Sequence, residues 1–167
     1  MKSGDASLIM KWTGEMNMSE QNFEALKIEN QLCFPLYACS REVIKQYKPF
    51  LDELDLTYTQ YIAMMALWEK QEMTVKELGD VLYLDSGTLT PLLKKLEAKN
   101  YVTRTRSRKD ERNLIVAVTE QGEALKQKAM RMPRAIADHT ELSQEEAEIL
   151  YRTLYKILAR LDQCKMS

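Results

Sequence analysis

From residue 23 to residue 54 the apolar positions Leu26, Leu32, Leu36, Val43, Ile44, Tyr47 and Leu51 recur mostly at helical spacing, which predicts a long amphipathic helix. Pro35 cannot donate to the Gln31 carbonyl, so this helix either starts near Pro35 or bends there. Lys48-Pro49 predicts a second break close to its end. Three Ser/Thr residues are followed three positions later by Gln or Glu: Thr57 with Gln60, Thr74 with Glu77, Ser143 with Glu146. Each pair is a capping box, and they predict helix starts at residues 58, 75 and 144. The first runs to about residue 69 with Ile62, Met65, Ala66 and Trp68 as its apolar set; the last runs to about 161. Thr119 caps a further helix through Met132, which Pro133 ends or kinks.

One region has the period of strands. Val102, Arg104 and Arg106 alternate with Tyr101, Thr103 and Thr105, a charged turn follows, and Leu114, Val116 and Val118 resume the alternation. The middle of the chain is therefore helix, turn, helix and basic hairpin, with long helices on both sides. This predicts a mainly α fold with a small β-hairpin wing: a winged helix-turn-helix flanked by N- and C-terminal dimerisation helices.

Composition narrows the class. The 167 residues, 45% apolar and 29% charged, suit one globular domain with a real core. No apolar run approaches membrane-spanning length and no secretory signal is evident, so a cytoplasmic protein is expected. Residues 1–21 read as an uncertain N-terminal extension, a cloning remnant or an upstream start, with Met16 and Met18 as alternative initiators. Cys33, Cys39 and Cys164 form no Cys-x-x-Cys pair and His139 is the only histidine, so neither a metal site nor a Ser-His triad is expected, and no cofactor.

The net charge is only −1, so affinity for nucleic acid requires a local patch. Residues 94–112 supply one. Lys94, Lys95, Lys99, Arg104, Arg106, Arg108, Lys109 and Arg112 stand against Glu97, Asp110 and Glu111, about +5 in all. The preceding segment, LDSGTLTPLLKKLE, sets Leu89, Leu92, Leu93 and Leu96 on one face. Thr90 and Lys94 lie on another, beside Thr88, Pro91 and Lys95. Alone it is either an ordinary amphipathic helix or a recognition helix. Next to a basic hairpin the second reading gains weight: Ser86, Gly87, Thr88 and Thr90 are small enough to approach base edges, and free amides at a helix start favour phosphate. Pro91 is tolerable if the helix begins near Thr88. An arginine at the hairpin tip suits a narrow minor groove, and Asp110 is spaced to orient Arg112 or to form a plain surface ion pair with it.

These segments together resemble the MarR family of repressors over residues 29–159, with LDSGTLTPLLKKLE and DERN as the closest matches. NQLCFPLYACSREVIKQYKP with LDLTYTQY resembles its OhrR-type branch, which senses organic hydroperoxides. The resemblance implies a reader over residues 73–118, dimerisation helices over 22–54 and 119–163, and a homodimer on a pseudo-palindromic DNA operator.

Cys33 and Tyr37, four apart, share a helical face. A phenol can donate to a thiolate and favour its reactive form, but a helical cysteine is more often a small packed hydrophobe. The resemblance implies the reactive role for Cys33, with Tyr37, Tyr47 and Tyr58 around it and some of them supplied by the partner subunit. Organic hydroperoxide, and a low-molecular-weight thiol afterwards, are then its reactants. Two departures stand out: Pro35 replaces an aliphatic and Cys39 a small polar residue. Cys39, about 240° around the helix from Cys33, reads as a packed thiol. Cys164 reads as a frayed terminal residue or a resolving thiol. Rival functions are a MarR-type regulator answering another redox cue or a phenolic ligand, a thiol peroxidase, and a structural adaptor that dimerises through its long helices.

Overall fold

A computed structural model describes residues 26–107, 110 and 113–165. The chain divides into two compact units, Met1–Lys45 and Gln46–Ser167. The first holds a 3-10 turn (Ile28–Asn30) and the start of α1 (Cys33–Glu53), which continues into the second. The proline alternative resolves itself: α1 begins at Cys33, so Pro35 falls in its first turn, where no intrahelical N–H is needed. The break expected at Lys48-Pro49 does not occur; α1 carries Pro49 within it and ends four residues later.

The second unit continues with α2 (Tyr58–Lys70), β1 (Glu72–Thr74), α3 (Val75–Leu82), α4 (Ser86–Ala98), β2 (Val102–Arg106), β3 (Leu114–Val118), α5 (Glu120–Ala129), α6 (Met132–Thr140) and α7 (Gln144–Lys165). All three capping boxes close as their spacing predicts. The Thr57 hydroxyl accepts from the Gln60 amide while the Gln60 side chain accepts from the Thr57 amide, and Thr74 with Glu77 and Ser143 with Glu146 do the same. Both strands of the hairpin form and pair antiparallel, Val102 opposite Val118 and Arg106 opposite Leu114.

Three expectations need correction. The sheet has a third strand, β1, paired to β3 with Glu72 opposite Ala117. Three residues are too few to display an alternation. α5 stops at Ala129, and Pro133 stands in the first turn of α6, opening a helix rather than closing one. Finally, α2 turns Tyr61, Ala63, Met64, Leu67 and Trp68 inward and leaves Met65 exposed. That helix is apolar nearly all round, so periodicity alone could not say which side meets the sheet.

The core lies where α2, α3 and α4 cover the sheet: Met64, Leu67, Leu78, Leu89, Leu93, Leu96, Val102 and Val116 are all fully buried. Trp68 anchors α2 to α5 by donating from Nε1 to the Gly122 carbonyl at 2.9 Å. α3 and α4 meet across a tight turn, with Tyr83 left-handed at φ 55° and Gly79 so near the Leu84 carbonyl that a Cβ would lie 2.8 Å from it. α7 contrasts with this core, since Ile149, Leu150, Tyr151, Tyr155 and Leu161 are exposed along it. Among the described residues no helix is long and apolar enough to cross a membrane.

Candidate functional site

The four leucines of α4 are buried as their spacing required. Ser86, Gly87, Thr88, Thr90, Pro91 and Lys94 are all exposed on the opposite side. The helix starts two residues earlier than expected, because Asp85 caps it: its carboxylate accepts from the Thr88 amide at 3.0 Å and from the Thr88 hydroxyl at 2.9 Å. These bonds, the backbone one first, hold the Asp85 carboxyl below the usual carboxylate range. Pro91 therefore sits in the second turn, where the Gly87 carbonyl loses its usual donor.

The cap also changes the chemistry expected of this end. The Thr88 amide is not free for phosphate. The Thr90 hydroxyl donates to the Ser86 carbonyl at 2.7 Å, so both threonine protons are spent within the helix. What these side chains present outward is a methyl group and an oxygen with lone pairs, which suits thymine methyls and the amino groups of adenine or cytosine better than phosphate.

In the wing, Arg104 is turned inward. Its Nε and Nη2 donate to Glu97 Oε2 on α4 at 2.9 and 2.5 Å, and its side chain is only 17% exposed. Lys99 is likewise engaged, donating to the Asp55 carbonyl and pairing with its carboxylate at 2.8 Å, while the Tyr101 hydroxyl reaches the Leu54 carbonyl at 3.5 Å. Two cations of the basic patch are thus engaged at the C-terminal half of α4 instead of facing outward. Lys94, Lys95 and Arg106 remain exposed. Arg108 and Arg112 lie outside the described residues. Asp110 accepts from Asn113 Nδ2 at 3.3 Å, and its backbone accepts from the Asn113 amide at 2.9 Å, which folds the hairpin end.

The Arg104 geometry carries a prediction. Arg104→Ala lowers stability by about 1–2 kcal/mol, the worth of a half-buried charged hydrogen bond, because Glu97 loses its partner. The slope of log Kd for DNA against log salt stays unchanged. A drop of about one in that slope would instead mark Arg104 as a phosphate contact.

Cys33 is a free thiol exposed on α1, one turn from Tyr37, so in the described chain it is no packed hydrophobe. Cys39, expected to be packed, is exposed as well. Cys164 falls in the last turns of α7, not beyond them. In the second unit Tyr47 and Tyr58 meet edge to face, their ring centres 5.2 Å apart. Sequence reasoning missed Tyr61, which is 3% exposed and touches both rings at 5.8 and 6.5 Å while leaning on Trp68 at 6.2 Å. Its place one turn after Tyr58 was the available signal. Burial raises the Tyr47, Tyr58 and Tyr61 phenols above the ordinary tyrosine range.

Comparison with known proteins agrees with this arrangement. Residues 45–129 match the family model described as transcriptional regulator SarA/Rot. The chain is 50% identical to the organic hydroperoxide resistance transcriptional regulator of Bacillus subtilis, over 86% of this chain and 98% of the relative. It is 45% identical to the HTH-type transcriptional regulator SarZ of Staphylococcus aureus, over 80% and 90%. Among solved structures, reduced AbfR bound to DNA superposes with a TM-score of 0.68 at 34% identity, covering 83% of this chain and 96% of that one. A mutant MarR from Escherichia coli, complexed with operator DNA, shares the fold, with a TM-score of 0.72 at 24% identity and 83% and 99% coverage. Outward-facing α4, its wing, the exposed thiol of α1 and half-identity along nearly the whole length of a curated relative lead to one assignment: this chain belongs to the MarR family of winged-helix transcriptional regulators, in the branch of the organic hydroperoxide regulators.

Proposed function

We propose that the protein is a homodimeric, cytoplasmic repressor that holds a pseudo-palindromic operator while Cys33 is reduced and releases it when an organic hydroperoxide oxidises that thiol. The observation that carries this reading is an exposed α1 thiol in a chain whose α4 turns Ser86, Thr88, Thr90 and Lys94 to solvent. Residues 73–118 are assigned as the reader, with Ser86, Gly87, Thr88, Thr90, Pro91 and Lys94 against the major groove and Arg106, Arg108 and Arg112 at the wing. Residues 22–54 and 119–163 are assigned to dimerisation. The exposed apolar side chains Leu32, Phe34 and Leu36 at the start of α1, and those of α7, support that assignment, since a stable monomer has no use for them in water.

The chemistry balances without a cofactor. The Cys33 thiolate attacks one peroxide oxygen, the S–O bond forms and the O–O bond breaks. The departing alkoxide takes up a proton and leaves as the alcohol. Sulfur is oxidised to the sulfenic acid and the hydroperoxide is reduced. A small thiol can then condense with the sulfenic acid, forming a disulfide and releasing water. Family likeness assigns Tyr37, Tyr47 and Tyr58 to the surroundings of this sulfur, some from the partner subunit. In the proposed dimer a partner helix covers the thiol that is exposed in the single chain, and new atoms at such a contact cost about 1–3 kcal/mol unless the helices move. Recognition helices must sit roughly 34–36 Å apart to reach two half-sites, so a shift of a few ångströms ends binding.

The test is a mobility shift on the DNA upstream of the protein's own gene. Reduced protein binds it with an affinity that falls steeply with salt. One equivalent of cumene hydroperoxide per subunit releases it, with one equivalent of alcohol formed and no further turnover. Binding indifferent to the oxidant would overturn the redox reading, and binding indifferent to salt the DNA reading.

A further inference from the structure

Helix α1 sets Cys33, Tyr37 and Arg41 at successive four-residue steps, one above another on a single face. Side chains in an α-helix lean toward its N-terminus, so Arg41 lies over Tyr37 and Tyr37 reaches toward the turn of Cys33. The first of these contacts is formed: Arg41 Nη1 donates to the Tyr37 hydroxyl oxygen at 2.9 Å, and the guanidinium carbon stands 5.6 Å from the centre of the ring. A guanidinium has five donors and no acceptor. The Tyr37 proton therefore cannot point at Arg41 and is free to be given elsewhere.

We propose that Arg41 is a positioning residue for the oxidation of Cys33, acting through Tyr37. It clamps the phenol by hydrogen bond and ring contact so that the O–H is delivered to the sulfur side of the helix. The proposal rests on Cys33 being the residue oxidised. A phenol that accepts from a cation is a stronger donor, because each bond in such a chain polarises the next. When the thiolate attacks the peroxide, negative charge passes from sulfur to the departing oxygen, and a fixed donor at that place stabilises both. The clamp has little else to do. An exposed pair one turn apart adds almost nothing to the stability of a helix in water. Lysine can replace the charge but neither the flat contact with the ring nor the fork of donors.

The test uses the full-length protein with Arg41→Gln, Arg41→Lys, Tyr37→Phe and the Tyr37→Phe/Arg41→Gln double variant. The readout is the second-order rate constant for sulfenic acid formation by cumene hydroperoxide, with the labelled cysteine located by mass spectrometry. Thermal midpoints check the fold of each variant. Arg41→Gln slows oxidation about tenfold, the effect of one good hydrogen bond in a transition state. Arg41→Lys recovers part of the loss. On the Tyr37→Phe background Arg41→Gln has no further effect, since the group it acts through is gone. Oxidation of Arg41→Gln within twofold of wild type overturns the inference, and so does an equal slowing with Phe at position 37. A wild-type protein whose Cys33 never acquires the label overturns the functional reading itself, a result distinct from either.

Discussion

Cys33→Ser protein stays on its operator at hydroperoxide concentrations that strip the wild type from it. Serine keeps the size and polarity of the side chain but has no nucleophilic sulfur, so no S–O bond forms. Before treatment the two proteins bind DNA within about twofold of each other, because Cys33 lies on α1, outside α4 and the wing. After treatment wild-type affinity falls by tenfold or more. Over-packing of about 1–3 kcal/mol at each of two symmetry-related sites supplies that drop, since 1.4 kcal/mol is already tenfold. Titration by mobility shift checks it, with Cys39→Ser as a parallel variant that keeps the wild-type response. Release of Cys33→Ser by the oxidant would transfer the sensing role to another thiol, and Cys39, exposed on the same helix, is the first to examine.

Gly122→Ala destabilises the protein by about 3 kcal/mol or more. A Cβ built on Gly122 would lie 2.1 Å from the Tyr101 carbonyl oxygen and 2.9 Å from Val118 Cγ2. Backbone on one side and a core strand on the other leave no flexible side chain to yield. α5 must move, and two ties go with it: the Thr119 amide bond to the Tyr101 carbonyl at 3.1 Å and the buried Trp68 indole bond to the Gly122 carbonyl. Over-packing costs about 1–3 kcal/mol, and a buried donor left unpaired about as much again. At fixed protein concentration the thermal midpoint drops by roughly 6–12 °C. A midpoint within a degree of wild type would mean that the start of α5 is not pinned as described.

Gly122 also illustrates the division between what is local in a chain and what is not. Nothing in the residues around it distinguishes it from a helix glycine on a surface; the carbonyl that forbids its substitution comes from a distant turn. Helix starts were different. A Thr or Ser with Gln or Glu three residues on encodes its own hydrogen bonds, so Thr57, Thr74 and Ser143 announced three helices without help from the rest of the fold. The leucine period of α4 and the alternation of the two hairpin strands were equally local, and with them came the winged-helix order and the face that α4 turns outward. Cys33 and Tyr37 could be placed on one face for the same reason.

Tertiary structure decided the rest, because partners far apart in sequence compete for the same groups. Arg104 and Lys99 count as free cations along the chain, yet Glu97 and Asp55 claim them across the fold. β1 is a strand only because β3 offers it a ladder. α2 is apolar on nearly every side, so only the sheet beneath it could choose Met64 over Met65 for the core. Tyr61 gained its place between two other phenols by the packing of α1 on α2. The sequence by itself determined which segments form helices and strands and which side of each is oily; only the folded chain determined which of its charges and aromatic rings are spent on holding it together and which remain to meet DNA and peroxide.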